Sequence, residues 1–98
     1  MGAQQAQGGT LIAARAVVAR LLYLRRLTDA ALAAFGPGDA KDRLRASVVS
    51  KHVAAVVDRE DSGHFRADLA QALRAAGWRS VMLGNRRCWK GMRQKETE

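Results

Sequence analysis

The apolar residues of this chain change their spacing at Gly77. Before it they recur every three or four residues, which is the period of amphipathic helices. After it, Trp78–Leu83 and Arg86–Gly91 flank the dipeptide Gly84-Asn85, and two short runs around such a dipeptide are typical of a β-hairpin. Alanine also accounts for 19 of the apolar residues, which favours closely packed helices over a sandwich of strands. The pattern therefore predicts a mainly α-helical protein with a small β-hairpin.

The first of three predicted helices covers residues 10–35. It begins at Thr10, whose hydroxyl makes it a good N-cap, and Gly36-Pro37-Gly38 ends it. The apolar pattern is compatible with one continuous helix or with a helix pair that breaks at Thr28-Asp29. The polar, glycine-rich residues 1–9 are predicted to form a disordered N-terminal tail.

The second and third helices lie between Asp39 and Gly77. Asp39 is the predicted N-cap of the second helix. The apolar stripe of this helix recurs every four residues and comprises Leu44, Val48, His52 and Val56, with Val49, Val53 and Val57 beside it. The polar residues 58–63 form the next loop, and the third helix runs from Phe65 to Ala76, where Gly77 stops it.

A chain of 98 residues has the size of a single domain. We expect one domain over residues 10–93, with its core unit at 39–93, followed by a C-terminal tail at 94–98. The apolar surface of residues 10–35 is wide for a helix that covers a small core, so this segment is a candidate dimerisation surface. Because the segment is basic, an anionic membrane surface or an organelle transit peptide are the alternatives.

The charge of the chain is strongly basic and unevenly placed. Seventeen Lys and Arg residues against nine Asp and Glu residues give a formal net charge of +8. Seven basic residues and no acidic one lie between Arg74 and Lys95, in the predicted hairpin and its flanks. Such a balance favours nucleic acid as the partner, and the alternative is a solvated surface that keeps the protein dispersed.

Helix, loop, helix and basic hairpin follow one another in the order of a winged helix-turn-helix, which is the predicted fold. In that arrangement the third helix would enter the major groove of double-stranded DNA, where base edges present distinct donors and acceptors. Its outward residues would be Arg66, Gln71 and Arg74. The hairpin would hold backbone phosphates through Arg79, Arg86, Arg87 and Lys90.

Two runs of the sequence carry a family resemblance, namely Phe65-x3-Leu69-x3-Leu73-x3-Gly77-Trp78 and Arg86-Arg87-Cys88-Trp89-Lys90-Gly91-Met92. They resemble the C-terminal winged-helix domain of phage- and plasmid-encoded DNA primase–helicases. Hairpins of that family have the form Arg-x-Trp-x-Gly followed by an aliphatic residue, and those places are filled here by Arg87, Trp89, Gly91 and Met92. The resemblance covers residues 40–93 and implies a DNA-binding module that serves replication or regulation of a mobile element. The catalytic domains of the family have no counterpart in this sequence, so the resemblance implies no polymerising or unwinding activity.

The candidate catalytic and metal-binding side chains are scattered. His52, His64 and Cys88 lack the spacing of a zinc site, and Cys88 is better interpreted as a small buried hydrophobic residue. The three carboxylates of residues 58–61 lie in a loop without a partner base or a glycine-rich phosphate cradle. We therefore predict no enzymatic activity, no metal and no cofactor.

A single cysteine cannot form an internal disulfide, which fits a reducing compartment. Residues 1–9 lack a secretory signal pattern, and no apolar run reaches the ~20 residues of a membrane span. We expect a cytoplasmic protein that does not associate with a membrane.

Two other functions compete with duplex binding. As an adaptor, the basic protein could dock on an acidic partner or inhibit a nucleic-acid-processing one. Trp78 and Trp89 could instead stack on the bases of single-stranded DNA or RNA. Their positions, one beside Gly77 and the other inside the hairpin, favour packing in the core.

Overall fold

The computed structural model describes the backbone of residues 2–96 and the side chains of residues 12–96. Within these ranges the chain is a small α+β domain with three helices and two small antiparallel sheets. The elements in chain order are α1 (Gly2–Ala34), β1 (Phe35–Pro37), β2 (Arg43–Arg45), α2 (Ala46–Val56), α3 (Gly63–Ala75), β3 (Ser80–Leu83), β4 (Arg86–Lys90) and β5 (Met92–Gln94).

Helix α1 is one continuous helix, and it is longer than the sequence predicts. It does not break at Thr28, whose hydroxyl donates a 3.0 Å hydrogen bond to the Leu24 carbonyl within the helix. It also begins at Gly2 and not at Thr10, so the expected tail at 1–9 is helical from Gly2 onward, while Met1 lies outside the described residues. Alanine and glutamine dominate residues 3–7 and extend an existing helix at little free-energy cost, which explains the earlier start.

Helix α2 begins at Ala46, so the prediction that Asp39 caps it was wrong. Asp39 instead lies in a tight turn, where its backbone N–H donates to the Asp42 carboxylate at 2.7 Å. The residues after this turn pair with β4 as strand β2, in the register Arg43 with Lys90 and Arg45 with Cys88. The backbone hydrogen bonds of this ladder replace those of the expected first helical turns.

The β3–β4 hairpin has the predicted register. Leu83 lies opposite Arg86, Val81 opposite Cys88, and Ser80 opposite Trp89. Gly84 has a φ of 62°, whereas Asn85 has no positive φ, which is the pattern of a type II′ turn. Strand β4 lies at the centre of the three-stranded sheet, in the order β2–β4–β3.

The second sheet joins the residues that follow α1 to the last strand of the chain. Strands β1 and β5 are antiparallel, with Phe35 opposite Gln94 and Pro37 opposite Met92. The Lys95 backbone N–H also donates to the Ala34 carbonyl at 2.9 Å. Gln94 and Lys95 therefore belong to the fold and not to the expected tail at 94–98, of which residues 97–98 lie outside the described residues.

The core lies where the three helices meet the inner face of the three-stranded sheet. Its largest fully buried side chains are Trp89, Leu27, Leu73, Met92, Val49 and Val53. Trp89 is only 2% exposed and Trp78 packs partly buried against the same core, so the interpretation that both tryptophans pack in the core is confirmed.

The buried stripe of α2 is not the expected one. Val49, Val53 and Val57 are buried, whereas Val48 and Val56 are 43% and 57% exposed and His52 is also exposed. Both rows contain valines, so hydrophobicity alone does not choose between them. The packing of α2 against α1 and β4 buries the row of Val49, Val53 and Val57. Ser50 shares the buried side because its hydroxyl has two acceptors, the Ser47 carbonyl and the Asp61 carboxylate.

Polar contacts fix α1 on α3. The Arg20 guanidinium donates to Asp68 Oδ1 at 2.7 Å and to Gln71 Oε1 at 2.9 Å. The Tyr23 ring contacts two guanidinium groups, with the Cζ atoms of Arg20 and Arg59 at 5.8 Å and 5.1 Å from its centroid. In the part of the chain that the structure describes, no helix combines the length and apolar character needed to cross a membrane.

Candidate nucleic-acid interface

An open groove of about 660 Å³ separates the β3–β4 hairpin from α3 and the start of α2. Trp89, Leu69 and Ala70 are apolar residues that line it and belong to the core. Four arginines line the same groove, namely Arg45, Arg66, Arg86 and Arg87. A groove bordered by arginines is suited to phosphate groups, because a guanidinium offers several fixed donors and a permanent charge.

Arg66 lies on the helical wall of the groove, in the first turns of α3. The helix begins there because the Ser62 side chain caps it, accepting a 3.2 Å hydrogen bond from the Phe65 N–H. Arg66 Nε donates to Asp61 Oδ1 at 3.0 Å, and Asp61 also accepts from Ser50. The hydrogen bond from Arg66 is the main reason why the pKa of the Asp61 carboxyl lies below its usual value. The charge of Arg66 is therefore partly neutralised inside the protein.

Gln71 and Arg74 do not converge with Arg66 on one polar face of α3. At 100° per residue, Arg74 lies about 80° and Gln71 about 140° around the helix from Arg66. Gln71 faces α1, where its side-chain oxygen accepts from Arg20. Arg74 reaches the base of the hairpin, with its Nη2 atom 3.4 Å from Ser80 Oγ. The structure thus separates the three residues that the sequence places together on the outward face of α3.

The four predicted hairpin residues fall on two sides of the three-stranded sheet. Arg87 shares the inner face with Trp89, since side chains two positions apart on a strand point the same way. Arg86 and Lys90 lie on the outer face with Cys88, although Arg86, next to the turn, also borders the groove. Arg79 is beside Lys90, whose backbone N–H donates to the Arg79 carbonyl at 2.8 Å.

Sequence reasoning missed the contribution of strand β2. Its register places Arg45 opposite Cys88 and Arg43 opposite Lys90, so both arginines join the outer face of the sheet, and Arg45, directly before α2, also borders the groove. Arg43 is half-buried, and its guanidinium donates to the carbonyls of Ala40 and Asp42. The only signal in the sequence is the alternation Arg-Leu-Arg at 43–45, which is short but follows the period of a strand.

Cys88 is 4% exposed, which confirms its interpretation as a small buried residue. Of the histidines, His52 contacts the Phe35 ring edge-on at a centroid distance of 5.3 Å, and His64 is exposed at the start of α3. Among residues 2–96, no group of three His, Cys, Asp or Glu side chains is arranged to hold a metal ion.

A second exposed apolar surface lies on α1, in the part of the helix that precedes its buried residues Leu24, Leu27 and Ala31. Ile12, Val17, Val18, Leu21 and Leu22 are 54–71% exposed there.

In comparisons with known proteins, no family model matches this chain, and neither a curated protein nor a solved structure does.

Proposed function

We propose that this protein is a non-enzymatic DNA-binding protein with a winged helix-turn-helix fold. The observation that carries the proposal is that four arginines border the groove between α3 and the hairpin. The order of elements supports the fold, because a strand, two helices and a hairpin follow α1 and the strand pairs with the hairpin. The role in replication or regulation of a mobile element rests on the sequence resemblance.

Electrostatics favour a polyanionic partner. The chain carries a formal net charge of +8, and seven basic residues with no acidic one lie between Arg74 and Lys95, in the hairpin and its flanks. Cations that contact the phosphates of duplex DNA release condensed counterions, so affinity falls steeply as salt is added. A surface of this kind would gain most of its affinity from contacts with phosphates, which are the same for every base sequence.

The test is fluorescence anisotropy of a labelled random duplex over a range of salt concentrations. We expect log K to fall linearly with log salt, with a slope of about 0.9 for each phosphate contact. The double variant Arg45→Ala with Arg87→Ala should lower this slope by about 1.8. The matched control is Arg15→Ala with Arg26→Ala, which removes the same charge from α1 and should leave the slope almost unchanged. Absence of wild-type binding at low salt would overturn the proposal and would favour the alternative, an adaptor that docks on an acidic protein partner.

For the exposed surface of α1 we propose a second copy of this chain as the partner. Ala14, Val18 and Leu21 follow the 4-3 spacing of a coiled-coil seam, and Leu22 lies beside them. With the alanines and arginine stems that flank it, the seam in two copies would bury on the order of 1,000 Å², the lower limit for a specific interface.

Light scattering behind size exclusion measures the mass that decides this proposal. We expect a dimer for the wild type and a monomer for Val18→Glu with Leu22→Glu. Val48→Glu with Val56→Glu places the same two charges on valines of α2 that are 43% and 57% exposed, and should remain dimeric. A wild-type monomer at micromolar concentration would overturn the proposed dimer.

A further inference from the structure

The tip of the β3–β4 hairpin projects from the body of the protein. Residues 82–87 are six consecutive exposed residues, and the next two, Cys88 and Trp89, are buried. Two strand residues and one turn residue on each side, at about 3.3 Å per residue, give a projection of roughly 10 Å. The major groove of B-DNA is about 8.5 Å deep and 12 Å wide and admits a two-stranded ribbon, whereas the minor groove is only about 6 Å wide.

Both faces of this projecting ribbon carry positive charge. Arg87 lies on the inner face opposite Met82, and Arg86 lies on the outer face opposite Leu83. Further down the outer face, Lys90 is opposite Arg43. A ribbon inside a groove has one phosphate strand beside each of its faces, so cations on both faces match that environment.

The polar side chains of α3 are already engaged within the protein. Gln71 accepts from Arg20, and Arg66 is paired with Asp61. Asp68 also lies on α3 and Asp61 lies just before it, so a helix in the groove would bring carboxylates toward the phosphates. A recognition helix needs outward donors that are available to base edges, and these contacts occupy two of the three candidates.

We propose that the β3–β4 hairpin, and not α3, is the element that enters the major groove of duplex DNA. This inference rests on the DNA-binding function proposed above and assigns its docking geometry. Asn85 and Arg86 at the tip are of the types that bond to adenine and guanine edges, and Leu83 can contact a thymine methyl group. Arg87 on one face and Lys90 on the other hold the two flanking phosphate strands.

Two double variants of equal charge separate the two elements. Arg86→Ala with Arg87→Ala removes two cations from the hairpin tip, and Arg66→Ala with Arg74→Ala removes two from α3. All four side chains are exposed, so circular dichroism should show an unchanged fold. We expect the hairpin variant to lose at least tenfold in duplex affinity and the α3 variant to lose less than threefold. An equal loss, or a larger loss for the α3 variant, overturns the inference while leaving DNA binding intact, whereas absence of wild-type binding refutes the DNA-binding function itself.

A second measurement reports which groove is occupied. Duplexes whose cytosines carry a bulky glucosyl group at the C5 side have an obstructed major groove, and distamycin occupies the minor groove of A·T-rich duplexes. We expect glucosylation to reduce binding at least tenfold and saturating distamycin to leave it within twofold. Loss of binding with distamycin, together with full binding to glucosylated DNA, would place the hairpin in the minor groove and overturn the inference.

Discussion

Replacement of Trp89 by alanine tests the link between the hairpin and the helices. The indole is 2% exposed, lies at the centre of the sheet opposite Leu44 and Ser80, and belongs to the core that joins α1, α2 and α3. Truncating a fully buried aromatic side chain costs about 3–5 kcal/mol, the lost transfer free energy plus the cavity left behind. A chain of this size has a total stability of roughly 5–15 kcal/mol, so Trp89→Ala should remove a large fraction of it.

Thermal unfolding followed by circular dichroism measures the effect. For a domain of this size each kcal/mol corresponds to about 4–8 °C in Tm, so Trp89→Ala should lower Tm by roughly 12–40 °C. Met82→Ala is the matched control on the same face of the hairpin, because Met82 is 58% exposed and should change Tm by only a few degrees. A shift below about 5 °C for Trp89→Ala would show that the hairpin does not depend on this ring for its attachment.

Three further predictions concern Asp61, Gly84 and Cys88. The bond from Arg66 keeps the pKa of Asp61 low, so this carboxylate stabilises the fold at neutral pH and loses its effect as the pH falls through its lowered pKa. Asp61→Asn should therefore lower Tm at pH 7, and the difference from wild type should shrink in acid; a difference that is independent of pH would contradict this account. Gly84→Val should cost about 1–2 kcal/mol in urea unfolding because Gly84 has a positive φ, whereas Gly84→Asn should cost less, and equal losses would rule out the backbone explanation. The Cys88 thiol, 4% exposed, should react with a thiol reagent only as the protein unfolds, and rapid reaction of the native protein would refute its burial.

The hairpin was predictable because its information is local. Gly84-Asn85 sets a two-residue turn, and the turn fixes every pair of the two strands that it connects. Strand β2 was not predictable from the local sequence, because Arg43–Arg45 has no strong strand propensity. These residues become a strand only by pairing with Lys90 and its neighbours, more than forty residues away. Its arginines were missed as members of the candidate interface for the same reason.

The local sequence pattern also did not determine which face of a helix is buried. In α2 the rows of Val48 and Val49 are both apolar, and only the arrangement of the surrounding elements decides between them. In α3 the position of Gln71 depends on Arg20, a residue 51 positions earlier in the chain. The sequence thus predicts the basic hairpin, but not which side chains of α3 are already engaged in contacts within the protein.

The pairing of β1 with β5 determines how the fold would respond to a pulling force. A load applied to α1 and to the residues after Gln94 meets at the same end of this two-stranded sheet, where Phe35 lies opposite Gln94. The hydrogen bonds would then open one after another, as in a zipper, and would not resist together in shear. Met92, which is 1% exposed, would leave the core after only three opened pairs. Mechanical opening should therefore begin at β5 at low force, and α1 would be detached from the hairpin before α2 and α3 separate.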